Sequence, residues 1–78
     1  MKWSELAERN KWGDGNDWAN VLAVANCDAK QNIEDADLTE VVAYSDGEND
    51  GAEWLAVVGH TDGRFVLLRA GCDYTGWG

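Results

Sequence analysis

The sequence contains little of what metal sites and nucleophilic enzymes are built from. Histidine occurs once, at His60, and cysteine twice, at Cys27 and Cys72, in no zinc-binding spacing. No Cys/His or Ser/His pair can be read from the chain, and Asp73 beside Cys72 disfavours a thiolate. We therefore expect no enzyme and no cofactor or metal site. Two reduced thiols are favoured over a Cys27–Cys72 disulfide.

Long apolar runs are also absent. The first residues lack the apolar core of a signal peptide, and no run approaches the roughly 18 residues that span a bilayer. We expect a cytoplasmic protein that does not contact membranes. Its 78 residues allow one domain, 1–78, which buries only about 60% of the unfolded surface, so that a dimer or a partner would complete it. A hydrophobic content of 45% with five tryptophans argues against a disordered acidic tail.

Basic residues are few and segregated. The formal net charge is −9, and the stretch from Trp12 to Gly63 contains twelve carboxylates but one base, Lys30. Such a surface repels nucleic acid and anionic membrane, and it attracts basic partners such as the nucleic-acid groove of another protein. The alternative is that acidity only keeps a small protein soluble.

Helical periodicity is present in the first half of the chain. Ser4 is placed to cap a short first helix that carries Trp3, Leu6 and Ala7 on one face. A second helix is predicted from the apolar spacing of Trp18, Val21, Leu22 and Ala25, with Asp14, Asn16 or Asp17 as its cap. Asp37 and Glu40 stand in a capping-box relation that predicts a third short helix, although TEVVAY could instead be a strand.

A β-hairpin is predicted in the second half. The runs EWLAVVGH and RFVLLRA flank TDG, and Asp62-Gly63 indicates a two-residue type I′ turn that pairs His60 with Phe65. This register predicts a core face of Leu55, Val57, Val66, Leu68 and Ala70. The outer face would then carry Trp54, Val58, Phe65 and Leu67 beside His60 and Arg69. The expected fold class is α+β, with two or three short helices packed on an antiparallel β-hairpin or small meander.

Two Gly-rich loops bracket this hairpin, and antiparallel pairing would bring them to the same end. Together they predict a partner-binding surface, an acidic rim around aromatic anchors. Its members are Asp46, Glu48, Asp50, Glu53, Trp54, Asp73, Tyr74 and Trp77. Alternatively, the glycines serve turns and the aromatics plug a small core. An EF-hand is excluded because its twelfth position is Val57, which leaves a weak divalent-cation site between Asp46 and Glu53 as the least favoured interpretation.

The segment from Gly47 to Trp77 resembles small uncharacterised phage and bacterial proteins. The shared features are an acidic Gly loop, a DGR or DGK hairpin and the ending Cys-Asp-Tyr-Thr-Gly-Trp. The resemblance implies a phage-associated accessory protein, of the kind that includes anti-CRISPR inhibitors. The expected function is therefore non-enzymatic inhibition of a host nucleic-acid-handling defence complex by acidic nucleic-acid mimicry. The alternative is a homodimeric structural or assembly protein.

Overall fold

Two helices and a three-stranded antiparallel meander make up the body of the part of the chain that the structure describes. The computed structural model describes residues 1–9, 17–73 and 75–78. The elements are α1 (Trp3–Ala7), α2 (Asp17–Ala29), β1 (Leu38–Ser45), β2 (Trp54–His60), β3 (Phe65–Ala70), β4 (Cys72–Asp73) and β5 (Gly76–Trp77). The sheet order is β1-β2-β3, and the two short strands β4 and β5 form a second small ladder. The predicted α+β class is confirmed.

The helices follow the predicted apolar pattern, but α1 begins differently. Lys2, rather than Ser4, is the N-cap, because the Lys2 backbone N–H donates to Glu5 Oε1 at 3.0 Å. In α2 the predicted face is buried: Trp18, Val21, Leu22 and Ala25. Asp17 is the first residue of α2, whereas the other proposed caps, Asp14 and Asn16, lie outside the described residues.

The predicted third helix is wrong. Asp35–Asp37 forms a single 3₁₀ turn, and β1 starts directly after it. Asp37 accepts the Glu34 backbone N–H at 3.0 Å, so its carboxylate closes the turn before it rather than capping a helix after it. The β-branched and aromatic residues of TEVVAY then extend as a strand, which their stiff side chains favour.

The turn between β2 and β3 has three residues rather than two. His60 N–H donates to the Arg64 carbonyl at 2.8 Å, and Gly63 N–H donates to the His60 carbonyl at 2.9 Å. Gly63 has φ +93°, which suits the last position of a type I turn followed by a bulge. The resulting register pairs Gly59 with Phe65. The predicted His60–Phe65 register is therefore wrong by one residue.

This one-residue difference exchanges the two faces of β2, because side chains alternate along a strand. The face toward the helices contains Trp54, Ala56, Val58, Val66, Leu68 and Ala70, all buried. The predicted core residues Leu55 and Val57 instead lie on the opposite face, and Val58 is core rather than outer. We call that opposite face, with Leu55, Val57, Phe65, Leu67 and Arg69, the outer face.

Three tryptophans anchor the core. Trp3, Trp18 and Trp54 are fully buried, and the Trp3 and Trp18 rings meet edge to face at 6.3 Å between centroids. Trp18 makes a second such contact with Tyr44 of β1 at 6.2 Å. Edge-to-face pairs add about 0.5–1.5 kcal/mol beyond simple burial. The tryptophans thus join α1, α2 and the sheet into one packed unit.

Candidate partner-binding surface

The two Gly-rich loops lie side by side at one end of the sheet. Asp50 N–H donates to the Cys72 carbonyl at 2.7 Å, and Asn49 forms an isolated parallel bridge with Cys72. Gly71 and Gly78 exchange two backbone hydrogen bonds of 3.0 Å, which hold β5 against β4. We call this surface, formed by residues 46–53, 71–73 and 75–78, the loop end. Antiparallel pairing of β2 and β3 explains why these distant segments meet.

Trp54 is a core residue and not a surface anchor. Its side chain is 1% exposed, and its ring centroid lies 4.7 Å from that of Trp77. The indole Nε1 is buried, and no hydrogen-bond acceptor reaches it from the described residues. Trp77 is half-buried over Trp54 and keeps part of its surface in solvent. The third predicted aromatic, Tyr74, lies outside the described residues.

Asp46 connects three elements rather than facing a partner. Its carboxylate accepts hydrogen bonds from Arg9 Nη2 at 2.6 Å and from Trp18 Nε1 at 3.2 Å. The side chain is only 17% exposed. The hydrogen bond that Arg9 donates to Asp46 raises the pKa of Arg9. The Arg9 guanidinium also lies 5.2 Å from the Tyr44 ring centroid. Asp46 therefore fastens the end of β1 to both helical segments.

Glu53 and Asp73 are held by interactions within the chain. Arg69 donates to both Glu53 oxygens, at 2.6 and 2.9 Å, and this hydrogen-bonded pair lowers the pKa of Glu53 and raises that of Arg69. Asp73 accepts the Thr75 hydroxyl and, at 2.8 Å, the Thr75 N–H, which together lower the pKa of Asp73. The Glu53 charge is neutralised on the surface, whereas the Asp73 charge is not.

Glu48, Asp50 and Asp73 are the carboxylates left without a basic partner at the loop end, as far as the described residues go. All three are exposed, and Asp50 and Asp73 line an open groove of about 480 Å³ together with Glu53 and Cys72. Asp50 has φ 57°, a left-handed conformation in which Asp and Asn are tolerated. No group of three or more His, Cys, Asp or Glu in the described chain is placed to hold a metal ion.

Both cysteines are free, and they differ in environment. Cys27 is exposed on α2, whereas the Cys72 thiol is half-buried and donates to Asn49 Oδ1 at 3.6 Å. Burial, followed by the negative charges of Asp73 and Asp17, raises the pKa of Cys72. A thiol with these neighbours is a poor nucleophile.

Comparison with protein-family models, with curated proteins and with solved structures finds no match to this chain. The resemblance drawn from the Gly47 to Trp77 segment therefore stays a prediction. The described residues contain no helix with the length and apolar character needed to cross a membrane.

The sequence predicts the apolar outer face next to the loop end only in part, because it assigns Phe65 and Leu67 to this face correctly but assigns Leu55 to the core. Phe65 is 70% and Leu67 62% exposed, with Leu55 partly exposed beside them. Glu53 and Arg69 are the only charges on this face at the loop end within the described chain, and they pair with each other. A neutral apolar face therefore adjoins an acidic end. Both faces of β2 are apolar in sequence, so no periodicity could have identified which one is exposed.

Proposed function

We propose that this protein is a non-enzymatic inhibitor that binds a basic host protein or ribonucleoprotein involved in nucleic-acid handling, in the manner of anti-CRISPR proteins. The observation that carries the proposal is the group of Glu48, Asp50 and Asp73 at the loop end, which no base of the described chain neutralises. These carboxylates would occupy positions that nucleic-acid phosphates take in the partner's groove. The setting would be the cytoplasm of a phage-infected host.

The charge distribution supports a partner of opposite sign. Arg9, Arg64 and Arg69 each form an ion pair with a carboxylate of the same chain, at 2.6 Å in every case. These three arginines are paired with carboxylates of the same chain. The net charge of −9 is therefore presented to a partner mainly by carboxylates that have no basic neighbour. A field of this sign accelerates encounter with a basic groove and makes association sensitive to salt.

Short-range affinity needs apolar contact beside the acidic groups. Trp54 cannot supply it directly because it is buried, but it supports Trp77, whose ring lies against it. Leu55 is partly exposed on the outer face, two residues after Glu53. Trp77 and Leu55 therefore replace Trp54 as the proposed contacts. Trp77 pairs with Cys72, whose carbonyl accepts the Asp50 N–H.

The test removes two of the three unpaired charges of the loop end, both at exposed positions. Glu48→Gln with Asp50→Asn removes two charges, and Asn suits the left-handed backbone at position 50. Asp46 is left intact because Arg9 and Trp18 depend on it. The matched control, Asp28→Asn with Glu34→Gln, removes two exposed charges elsewhere.

Each protein is used to capture partners from bacterial lysate, and bound proteins are eluted with duplex DNA and identified by mass spectrometry. We expect wild type and control to capture the same nucleic-acid-binding effector, and the loop-end variant to lose most of it. Association of the purified effector should slow as salt rises. Equal capture by both variants, or a bound protein that DNA does not displace, would contradict acidic mimicry.

A homodimeric structural or assembly role is the second candidate function. The apolar outer face favours it, since Phe65 and Leu67 expose more apolar surface than a solvated sheet normally does. The earlier assignment of Val58 to this face is wrong, because Val58 is fully buried. A protein that self-associates and captures no basic partner would favour this second function.

A further inference from the structure

The two edges of the three-stranded sheet are protected very differently. Along β1, Val41 N–H donates to the Met1 carbonyl at 2.8 Å, and Lys2 forms a bridge with Glu40. The pairing of β1 with β2 also shifts register twice, between Leu38 and Ala43. Bulges and a covering segment are devices by which natural sheets prevent edge-to-edge pairing.

The edge formed by β3 has neither device. Its pairing with β2 runs without a shift from Phe65 to Ala70, and the described chain places no strand or backbone partner on its outer edge. The strand FVLLRA is apolar, contains no proline and carries one charge, Arg69. A regular apolar edge of this kind is a template for another strand.

The backbone groups that point outward can be assigned. His60 N–H bonds to the Arg64 carbonyl, and bonded pairs alternate along an antiparallel ladder. The N–H and C=O groups of Phe65, Leu67 and Arg69 therefore point away from β2. The side chains of the same three residues lie on the outer face and are exposed.

We propose that β3 pairs antiparallel with β3 of a second copy, about a two-fold axis at Leu67, to form one continuous six-stranded sheet. Leu67 then faces Leu67 of the second copy, and Phe65 faces its Arg69. All outward backbone groups of the three residues gain partners in this register. Leu–Leu contact and a guanidinium over an aromatic ring are both favourable cross-strand pairs.

Neighbouring registers are poorer. A slip of one residue would place the outer face of one copy beside the helix-covered face of the other. A two-fold axis at Arg69 would set two guanidinium groups opposite each other, and an axis at Phe65 would set Leu67 against Gly63 in the turn. A slip of two residues places the axis at Val66 or Leu68 and keeps the faces matched, but it sets Arg69 against Gly63 or Phe65 against Gly71, outside the strand. Only the axis at Leu67 matches the faces, avoids like charges and pairs all three outward residues within β3.

The proposed dimer does not depend on the proposed function, and the effect of salt concentration distinguishes dimerisation from binding to a basic partner. Two copies of charge −9 repel, so dimerisation should strengthen as salt screens them, whereas binding to a basic partner should weaken. Strand pairing at one edge buries less than the roughly 1,200 Å² of a stable interface, so the dimer is expected to dissociate on dilution.

Sedimentation over a concentration series at low and high salt tests the association. Leu67→Pro removes an outward N–H that the fold does not use, and proline is tolerated on such edges. It should abolish dimerisation while keeping the wild-type circular dichroism, whereas Leu67→Thr, which retains the N–H, should still dimerise. A wild-type protein that stays monomeric at all concentrations would overturn the proposal.

A disulfide tests the register independently of the proline variant. In a Cys27→Ser, Cys72→Ser background, Leu67→Cys should crosslink on mild oxidation, because facing Cα atoms of a bonded pair lie about 5.5 Å apart, within disulfide range. Phe65→Cys is the matched control, since its copies would be about 13 Å apart along the strands. Equal crosslinking of the two variants, or none at position 67, would refute this register.

Discussion

Gly47 lies so close to Trp54 that a Cβ at position 47 would be 2.3 Å from Cε3 of the indole. The same Cβ would lie 2.5 Å from the Ala52 carbonyl oxygen, so neither the ring nor the backbone leaves room for it. The glycine is required here by close approach rather than by a turn. It allows the acidic loop to fold directly over the buried tryptophan.

Gly47→Ala is therefore expected to destabilise the protein by about 1–3 kcal/mol, the usual cost of overpacking. The measurement is the free energy of unfolding from urea denaturation. Gly71→Ala is the control, since its added Cβ would meet only the Gly78 carbonyl oxygen at an ordinary 3.7 Å. Equal stability of Gly47→Ala and wild type would contradict the tight contact with Trp54.

Asp46→Ala should lower the urea midpoint and weaken the near-ultraviolet signal of the tryptophans. The substitution leaves Arg9 unpaired and removes the acceptor of Trp18 Nε1. Asp46→Asn should be milder because an amide oxygen can still accept from the indole. Glu48→Gln, at an exposed neighbour, should leave both signals unchanged, and a comparable loss there would argue against a special role for Asp46.

The pair Glu53–Arg69 makes a stability contribution that depends on pH. Its hydrogen bond lowers the pKa of Glu53 from the ordinary 4.5, so the stabilisation is complete above the unfolded-state pKa and is lost as pH falls through the folded-state pKa. We expect wild type to be more stable than Glu53→Gln at pH 7, and the difference to shrink below about pH 4.5. A difference in urea midpoint that stayed constant down to pH 3 would contradict this linkage.

The two thiols should react at different rates. Burial and neighbouring carboxylates raise the pKa of Cys72, whereas Cys27 is exposed on α2. At mildly alkaline pH, a thiol reagent should modify Cys27 several-fold faster than Cys72. Single-cysteine variants, Cys72→Ser and Cys27→Ser, assign each rate, and faster reaction of Cys72 would show that its surroundings activate it.

The sequence predicted the parts of the fold that depend on periodicity. The apolar spacing around Trp18 and Val21 identified α2 because the residues that the helix buries recur at helical intervals along the chain. The same reasoning failed for β2, where Leu55, Val57 and Val58 are all apolar and alternation carries no information. Asp62-Gly63 fits the end of a three-residue turn as well as a two-residue turn, so the turn signal could not choose the register.

The composition of the candidate site was easier to predict than its internal pairing. Strand order brought the two acidic loops to one end, as expected from antiparallel topology. That Asp46 would pair with Arg9 and Glu53 with Arg69 could not be read from spacing, because each pair joins segments far apart in sequence. The loop packs over Trp54 because position 47 is a glycine. In the sequence, Gly47 looks like any glycine of a turn, so this packing could not be predicted.

The three-residue turn from Thr61 to Gly63 determines which residues of β2 and β3 lie opposite each other. Because side chains alternate with a period of two, a turn that shifted the pairing of β2 with β3 by one residue would place Trp54 and Leu68 on opposite faces. An exposed turn normally tolerates single insertions and deletions. Length variation in this turn is instead expected to be tolerated only where the new turn keeps His60 opposite Arg64, so that the pairing of the two strands is unchanged.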